Sequence, residues 1–459
     1  MGAAGRTISP GEFSSATRKA TLSGLKKGQT FDVIVVGGGI TGAGTANALS
    51  ATGAKVLLLE RGDFASGTSS ASSKLIHGGL RYLQQGRIFL TRDLIREREY
   101  LLRSTNIVRK IDFRILIDGY SASRTAVRFG LFLYSLLAGR PRIPKFIRNR
   151  GEYPDGIRGY FEFYDAVTDD STLVVHNILS AVLKGSVCLN YCEVTGISTG
   201  SITEVRFTDR VSGDAFSVSG RVVVNCAGPW ADSVLEIAGK PSNGAILSGG
   251  AHIVVDISHY EGMQAIAFFS HIDGRQMFII PREGVLIIGT TDSIVHSPDA
   301  KKPTPEEIDY ILESARRIIR SLNRDSIIAS FYGVRPLLGK GSDPGKITRN
   351  FTILQDGNVL SVYGVKLTDF RKASRKVADR VARMLGLKAP GREEPVINYR
   401  RPADPEMGYY VRHECPVTVE DITRRRFPVD IYSPSSREKV IAQCKEFVLD
   451  GLLLPETIE

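Results

Sequence analysis

The stretch Phe31-Asp32-Val33-Ile34-Val35-Val36-Gly37-Gly38-Gly39-Ile40-Thr41-Gly42-Ala43-Gly44 decides how this chain is read. Residues 31–36 are apolar on both faces, as a central strand of a parallel sheet is. The glycines that follow are spaced Gly37-x-Gly39-x-x-Gly42, and a helical stretch runs on to about Thr52, where Gly53 ends it. Residues 55–60 then form a second apolar strand that ends in Glu60. Strand, glycine turn, helix and strand within about thirty residues make a βαβ unit, the context that gives this glycine spacing meaning. Gly37 permits the tight turn, Gly39 lets a pyrophosphate approach the backbone, and Gly42 allows close packing of helix on strand. Unpaired N–H groups at the helix start then face the phosphates. Glu60, 23 positions beyond Gly37, is placed to bind ribose hydroxyls. NAD would satisfy the same geometry. The cofactor region, however, resumes near residues 222–230 and again near 333–385, and such interleaving suits the longer FAD.

At 459 residues the chain is too long for one simple core, and two or three packed regions are expected. Lys and Arg number 60 against 49 Asp and Glu, a net charge of +11 that favours anionic partners. Five cysteines (Cys188, Cys192, Cys226, Cys415, Cys444) are odd in number and form no CxxC pair. Neither a disulfide framework nor a zinc or iron–sulfur site is expected, no metal is assigned, and a cytoplasmic setting is inferred. Residues 1–30 carry no apolar signal core and read as a mobile basic lead-in with a short helix near residues 14–25. The longest uncharged apolar run, residues 129–139, falls far short of the roughly 20 residues of a spanning helix.

Further along, residues 91–103, 172–183, 305–322 and 370–385 read as helices. Residues 114–118 and 159–164 read as strands, and 276–281 with 286–289 as a hairpin. Residues 66–73 are a Ser-rich loop. The last seventy residues are Pro-rich and charged, with some helical content.

The stretch Thr68-Ser-Ser-Ala-Ser-Ser-Lys-Leu-Ile-His-Gly-Gly-Leu-Arg-Tyr-Leu83, taken with residues 37–44, closely resembles the FAD-dependent glycerol-3-phosphate dehydrogenases. Further matches are Val224-Asn-Cys-Ala-Gly-Pro-Trp230, Gly250-Ala-His-Ile-Val-Val255, Gly289-Thr-Thr-Asp292, Tyr332-Gly-Val-Arg-Pro336 and Tyr363-Gly-Val-Lys-Leu-Thr368. In order and spacing they cover about residues 30–385. The resemblance implies an α/β fold with a mixed α+β character. A glutathione-reductase-type FAD-binding Rossmann domain (31–105, 165–244, 331–388) is interleaved with a mixed-sheet substrate domain (106–164, 245–330), as in D-amino-acid oxidase relatives. A short C-terminal helical cap (389–459) completes it. The implied reaction is hydride transfer from C2 of sn-glycerol 3-phosphate to flavin N5, giving dihydroxyacetone phosphate, with the electrons passed to a membrane quinone. A related oxidase uses oxygen instead.

Such a reaction needs an anchor for a dianion and a proton acceptor at the C2 hydroxyl. The resemblance puts Arg335, Arg81 and Lys366 at phosphate and carbonyl contacts, and a guanidinium fork suits phosphate. Tyr82 adds a hydrogen-bond donor. His252 is the candidate base, since a histidine titrates near neutrality. His77 is its competitor, placed by its loop against the flavin ring. Ser70, Ser72 and Ser73 are read as donors to cofactor oxygens, Arg61 beside Glu60 is read as a further cofactor contact, and the matched segments add Gly228, Gly364, Leu367 and Thr368. The remaining histidines (176, 259, 271, 296, 413) belong to no motif and read as surface or packing residues.

Two departures from the family pattern stand out. Residues 364–369 read Gly-Val-Lys-Leu-Thr-Asp, where Val365 replaces a glycine able to take φ > 0 and Asp369 adds charge near the expected flavin pyrimidine. The C-terminal region is also short, which leaves a homo-oligomer open. Quinone reduction requires a bilayer surface. Residues 125–150, apolar and then basic, are the better candidate for contact with anionic lipid on the inner face of the cell membrane. The helix 370–388 is either interfacial or packed on the core. Alternatives are an oxygen-using oxidase and an amine or amino-acid oxidase, against which the cations at 81, 335 and 366 argue. A nucleic-acid-binding protein would leave the glycine turn and serine loop unexplained.

Overall fold

The computed structural model describes residues 12–300, 302–339, 350–391, 397, 399 and 401–455. Two sheets organise them. In the first, four parallel neighbours surround the opening strand: Val359–Tyr363, Ala215–Asn225, Gln29–Val36, Val56–Leu59 and Val187–Leu189, in that order. Thr352–Asp356 closes one edge antiparallel, and Cys192–Ser198 with Thr203–Asp209 forms an antiparallel flap on Ala215–Asn225.

Strand alternation explains why these segments read as continuously apolar. Val33, Val35, Val56, Leu58, Val222, Val224, Leu360 and Val362 face one core, shared with the helices Ile40–Ser50, Asp170–Val182 and Phe370–Leu385. Ile34, Val36, Leu57, Leu59, Val218, Val223 and Val359 face the other, with Phe207 of the flap and Leu22 of the helix Ser15–Gly24. Both faces are covered, so both registers of side chain must be apolar.

The second sheet runs Ser293–Val295, Ile246–Asp256, Val285–Gly289, Gln276–Arg282, Ala265–Phe269, Arg109–Ile117, Gly159–Val167, Leu75–Ile76. Ile327–Leu337 also pairs with Ile246–Asp256, and Phe146–Arg148 with Gly159–Val167. One face packs under the helix Pro305–Arg316, which Thr304 and Glu307 start with a reciprocal capping box. The other lies under Leu80–Gln84, Ile88–Ser104 and Arg124–Leu137.

Several expectations are revised by this arrangement. Residues 331–337, read with the cofactor region, lie on the second sheet, because Ile327–Leu337 is hydrogen-bonded along nearly all of Ile246–Asp256. Residues 75–76, also read with the cofactor region, join the second sheet too. The helix Phe370–Leu385 is not interfacial: Phe370, Ala373, Val377 and Val381 are buried against the first sheet's helices. The lead-in is anchored over its described part. Ser14 and Thr17 form a capping box at the helix start, and Arg18 is buried, donating to Asn190 O at 2.9 Å and pairing with Asp209. Residues 1–11 lie outside the described residues. All five cysteines are free and buried, and among the described residues no helix is long and apolar enough to cross a membrane.

The C-terminal region forms a small helical layer with its own core around Tyr410, Ile422, Val440 and Phe447. It is tied to the first sheet by a buried charge cluster. Asp63 accepts from Arg425 Nε at 2.6 Å and from Arg426 Nη1 and Nη2 at 2.7 and 2.8 Å. Asp421 takes Arg425 Nη2 at 2.6 Å and the Tyr191 hydroxyl at 2.7 Å.

Candidate functional site

The glycine turn is built as its spacing requires. Gly37 has φ +107°, and a Cβ there would lie 2.6 Å from the Cys226 carbonyl oxygen, at the end of the adjacent parallel strand. A Cβ on Gly42 would lie 1.8 Å from the Gly37 carbonyl oxygen, so the first helical turn of Ile40–Ser50 can close on the strand end only with glycine. Gly39 is the N-cap residue and brings no side-chain acceptor, which leaves the helix start to backbone N–H groups. This cradle fits a dinucleotide pyrophosphate. Glu60 is bound within the turn: its carboxylate accepts from Gly38 N at 2.6 Å and Gly62 N at 2.8 Å. Burial raises its carboxyl above the usual range, and those two N–H groups oppose the rise.

The serine loop lies where three elements meet. Ser69, which sequence reading passed over, accepts from Ile40 N at 2.9 Å and so caps the dinucleotide helix from outside. Thr68 donates to the Val334 carbonyl, and a Cβ on Gly333 would lie 2.4 Å from the Ala71 carbonyl oxygen, so the loop is pressed against Ile327–Leu337. Among the described residues Ser70 donates only to Gly67 O, at 3.3 Å. Ser72 bonds Asp170 through its N–H at 3.0 Å and its hydroxyl at 2.7 Å. Ser73 Oγ lies 2.8 Å from His252 Nε2. Ser72 and Ser73, expected at cofactor oxygens, thus have protein partners. Nothing in a run of serines distinguishes the one that reaches the helix from those that do not.

His252 is 1% exposed and stacks on Phe331 with ring centroids 4.7 Å apart and planes at 14°. Its Nδ1 has no hydrogen-bond partner among the described residues. Burial, then the charges of Arg335 and Lys74, lower its pKa to about 3, so the resting imidazole is neutral at physiological pH. Arg335 stands opposite Ser248 in the paired strands, four positions from Phe331. Its Nη2 donates to Thr290 Oγ1 at 3.4 Å and its Nη1 lies 3.7 Å from Asp292, which also takes Arg275 at 3.2 Å. Gly250 makes room for the guanidinium, since a Cβ there would lie 2.4 Å from Arg335 Nη2.

A second group hangs from the same stretch of chain. Thr368 donates to the His77 carbonyl at 3.2 Å, the His77 and Tyr82 rings are 6.3 Å apart, and Lys366 Nζ lies 5.7 Å from the Tyr82 ring. Tyr82 is buried and Arg81 beside it is half-buried, on the short helix Leu80–Gln84. The departure at residues 364–369 resolves simply. Gly364 itself takes the left-handed conformation, at φ +70°, and Val365 is not among the positive-φ residues. Asp369 is buried before the helix Phe370–Leu385, where it accepts from Lys366 N at 2.7 Å and pairs with Lys366 Nζ at 3.5 Å. Burial raises its carboxyl, with Lys366 opposing. Leu367 packs against the first core. Arg61 and Gly228 belong to a different corner, where Arg61 lies 4.4 Å over the Trp230 ring and both meet Asp299 at 3.0 Å. Gly228 takes φ +57° just before that Trp. Of the motifless histidines, His176 is fully buried, with neither ring nitrogen bonded among the described residues, against Tyr399 at 4.7 Å. Among the described residues no cluster of His, Cys, Asp and Glu could hold a metal ion.

The family described as FAD dependent oxidoreductase matches residues 32–366. The glycerol-3-phosphate dehydrogenase of Synechocystis sp. is 35% identical over 396 residues, 78% of this chain and 71% of that protein. The aerobic glycerol-3-phosphate dehydrogenase of Bacillus subtilis is 33% identical over 390 residues, 81% of this chain and 70% of that one. In fold the chain is similar to the glycerol-3-phosphate dehydrogenase of Bacillus halodurans solved with FAD, with TM-score 0.74, 24% identity and 95% and 94% of the two chains covered. The FAD-bound L-α-glycerophosphate oxidase of Mycoplasma pneumoniae follows with TM-score 0.64, 21% identity and 82% and 100% covered. The chain belongs to the FAD-dependent oxidoreductase family that includes the glycerol-3-phosphate dehydrogenases, and FAD is its cofactor.

Proposed function

We propose that this protein oxidises sn-glycerol 3-phosphate to dihydroxyacetone phosphate and passes the electrons to a quinone at a membrane surface. The observation that carries the reading is the buried neutral imidazole of His252 set beside the Arg335 guanidinium on two paired strands: a proton acceptor next to an anion anchor. The bound flavin supplies the acceptor for the hydride that leaves C2. The chain's residues do the rest. The glycine turn and Glu60 hold the dinucleotide end, while His77, Thr368 and Gly364 line the isoalloxazine end. Arg335, Arg81 and Lys366 hold the phosphate and the developing carbonyl oxygen, with Tyr82 donating, and His252 takes the hydroxyl proton. Names of relatives with 33–35% identity support the substrate.

Anaerobic stopped-flow absorbance of the FAD-loaded protein tests this directly. Glycerol 3-phosphate should bleach the flavin band, with fast return on adding a soluble quinone and slow return on adding oxygen. Fast return with oxygen makes the protein an oxidase, and no bleaching removes this substrate. Arg335→Ala should weaken glycerol 3-phosphate by about 100-fold, the scale of a lost charge-assisted pair, with FAD affinity unchanged. An unaltered substrate affinity takes Arg335 out of the phosphate site.

The surface supports a lipid-facing role. Ile88 and Phe89, the latter 81% exposed, lie at the start of Ile88–Ser104, which packs against Arg124–Leu137 with its exposed Phe129 and Leu136. Arg124, Arg128, Arg140, Arg142 and Lys145 are exposed around that helix. Apolar side chains ringed by cations combine burial in the interface with attraction to anionic headgroups. Phe89→Asp with Phe129→Asp should abolish co-sedimentation with phosphatidylglycerol vesicles at low salt. Retained sedimentation in that double variant excludes this face.

A further inference from the structure

Lys74 follows the serine loop and has no part in the reaction as proposed, yet its setting is built with care. It is 1% exposed and sits at φ +55°, a left-handed conformation that a non-glycine residue rarely adopts. A buried ammonium is expensive even when paired, and well-packed apolar side chains in place of the whole ion cluster would often serve stability as well or better. Every polar group of the residue is nevertheless engaged. Its N–H donates to Ser72 Oγ at 3.0 Å, its carbonyl accepts from Thr168 N at 3.0 Å, and its Nζ pairs with Asp170 and, at 3.5 Å, with Asp169. Asp170 is the carboxylate that also holds Ser72, and the next residue, Ser73, is the one that reaches His252 Nε2. The Phe331 ring is shared: it stacks on His252, and its centroid is 6.0 Å from Lys74 Nζ. Tyr432, from the C-terminal layer, covers the other side, with its ring 5.9 Å from Nζ and its hydroxyl donating to Asp169 at 3.3 Å.

We propose that Lys74 is a positioning residue of this site: clamped by Asp169 and Asp170 and covered by Tyr432, it sets the serine loop so that Ser73 meets His252, and it places a second positive charge beside that imidazole. This rests on the reading of His252 as proton acceptor. The charged groups that act on His252 are Arg335 from Ile327–Leu337 and Lys74 from the loop; the facing residue of Val285–Gly289 is the uncharged Gly289. Asp169 and Asp170 hold Lys74 charged, raising its pKa against the effect of burial. Both cations add to burial in keeping His252 neutral. Lys74 thus connects the C-terminal layer, through Tyr432, to the protonation of the reacting site.

The test uses the FAD-loaded full chain with 13C-labelled histidine, the His252 signal being assigned by its loss in His252→Gln. In the wild type that signal should not titrate above pH 5. In Lys74→Met its titration should move up by about one pH unit, the scale of one removed cation at protein dielectric. In Lys74→Met/Asp170→Asn, which removes the cation together with its paired carboxylate, it should move in the same direction by less. The pH limb of flavin reduction should move with it while KM for glycerol 3-phosphate stays within about threefold, and Lys74→Arg should restore the wild-type profile. An unmoved His252 titration in a folded variant overturns the proposal. So does failure of both Met variants to fold while Lys74→Arg folds, which assigns Lys74 to structure alone. If glycerol 3-phosphate bleaches no flavin even in the wild type, the substrate reading fails and the histidine titration still decides the role of Lys74.

Discussion

Asp63→Ala should lower the stability of the protein by about 3–5 kcal/mol, the cost of breaking a buried ion pair from one side. Asp63 is 1% exposed and is the shared acceptor of two buried guanidiniums, Arg425 and Arg426, and of Asn190 Nδ2 at 3.1 Å. With the carboxylate gone, Arg425 keeps Asp421 and, among the described residues, Arg426 keeps a hydrogen bond only to the Glu414 carbonyl, at 2.9 Å. Asn190 also receives Arg18 of the N-terminal helix, so three separate chain segments lose a common anchor. Thermal unfolding followed by flavin fluorescence and by far-ultraviolet circular dichroism should show a markedly lower midpoint, with the C-terminal layer released first. Adding Arg426→Met should recover part of the loss, because removing a buried charge left without a carboxylate outweighs the one hydrogen bond it still makes to the Glu414 carbonyl. A midpoint unchanged within about 1 °C would falsify the anchoring role, since that corresponds to well under 1 kcal/mol.

The pH dependence of this anchor has a definite sign. Burial alone would raise the Asp63 carboxyl; Arg426 and then Arg425 overcome that and hold it below the usual carboxylate range. A depressed carboxyl contributes fully above its unfolded pKa, near about 3.9, and the contribution is lost as pH falls through the lower folded value. The Asp63→Ala defect should therefore be as large at pH 6 as at pH 8 and shrink only in strong acid.

His252→Gln should slow flavin reduction by about 10²–10⁴-fold, the usual contribution of a positioned acid–base group. Glutamine keeps a polar group near Ser73 and removes the titrating ring. The low pKa of the resting imidazole, about 3, fits a group that is always ready to accept but does not keep a proton. A phosphate dianion at Arg335 offsets one of the two cations that depress it, so substrate binding itself strengthens the base where the hydroxyl arrives. Single-turnover reduction, read at saturating glycerol 3-phosphate, separates this from binding. A rate within about threefold of wild type would move proton acceptance to His77 or to solvent.

The dinucleotide cradle was legible in the linear chain because its demands are local. Gly37, Gly39 and Gly42 are fixed by a turn of a few residues, and the apolar runs at 31–36 and 55–60 announce a strand buried on both faces. The same holds for the helix at Thr304, whose cap and acids lie within one turn. The substrate side was legible only through resemblance, since Arg335, His252 and Ser73 are separated by dozens to hundreds of positions. What brings them together is the antiparallel register that sets His252 against Phe331 and Ser248 against Arg335. Register is a property of paired strands and is not visible in either strand alone. The partners of Lys74, the difference between Ser69 and Ser70, and the burial of the apolar face of residues 370–385 were likewise decided by packing. An amphipathic helix states that it has an apolar face, and only the tertiary structure says whether lipid or protein covers it. The chain by itself thus determined the fold class and the cofactor cradle, where the constraints are steric and close in sequence. The tertiary structure decided which charges are buried together and which imidazole is held neutral, because desolvation and Coulomb interaction depend on distance in space.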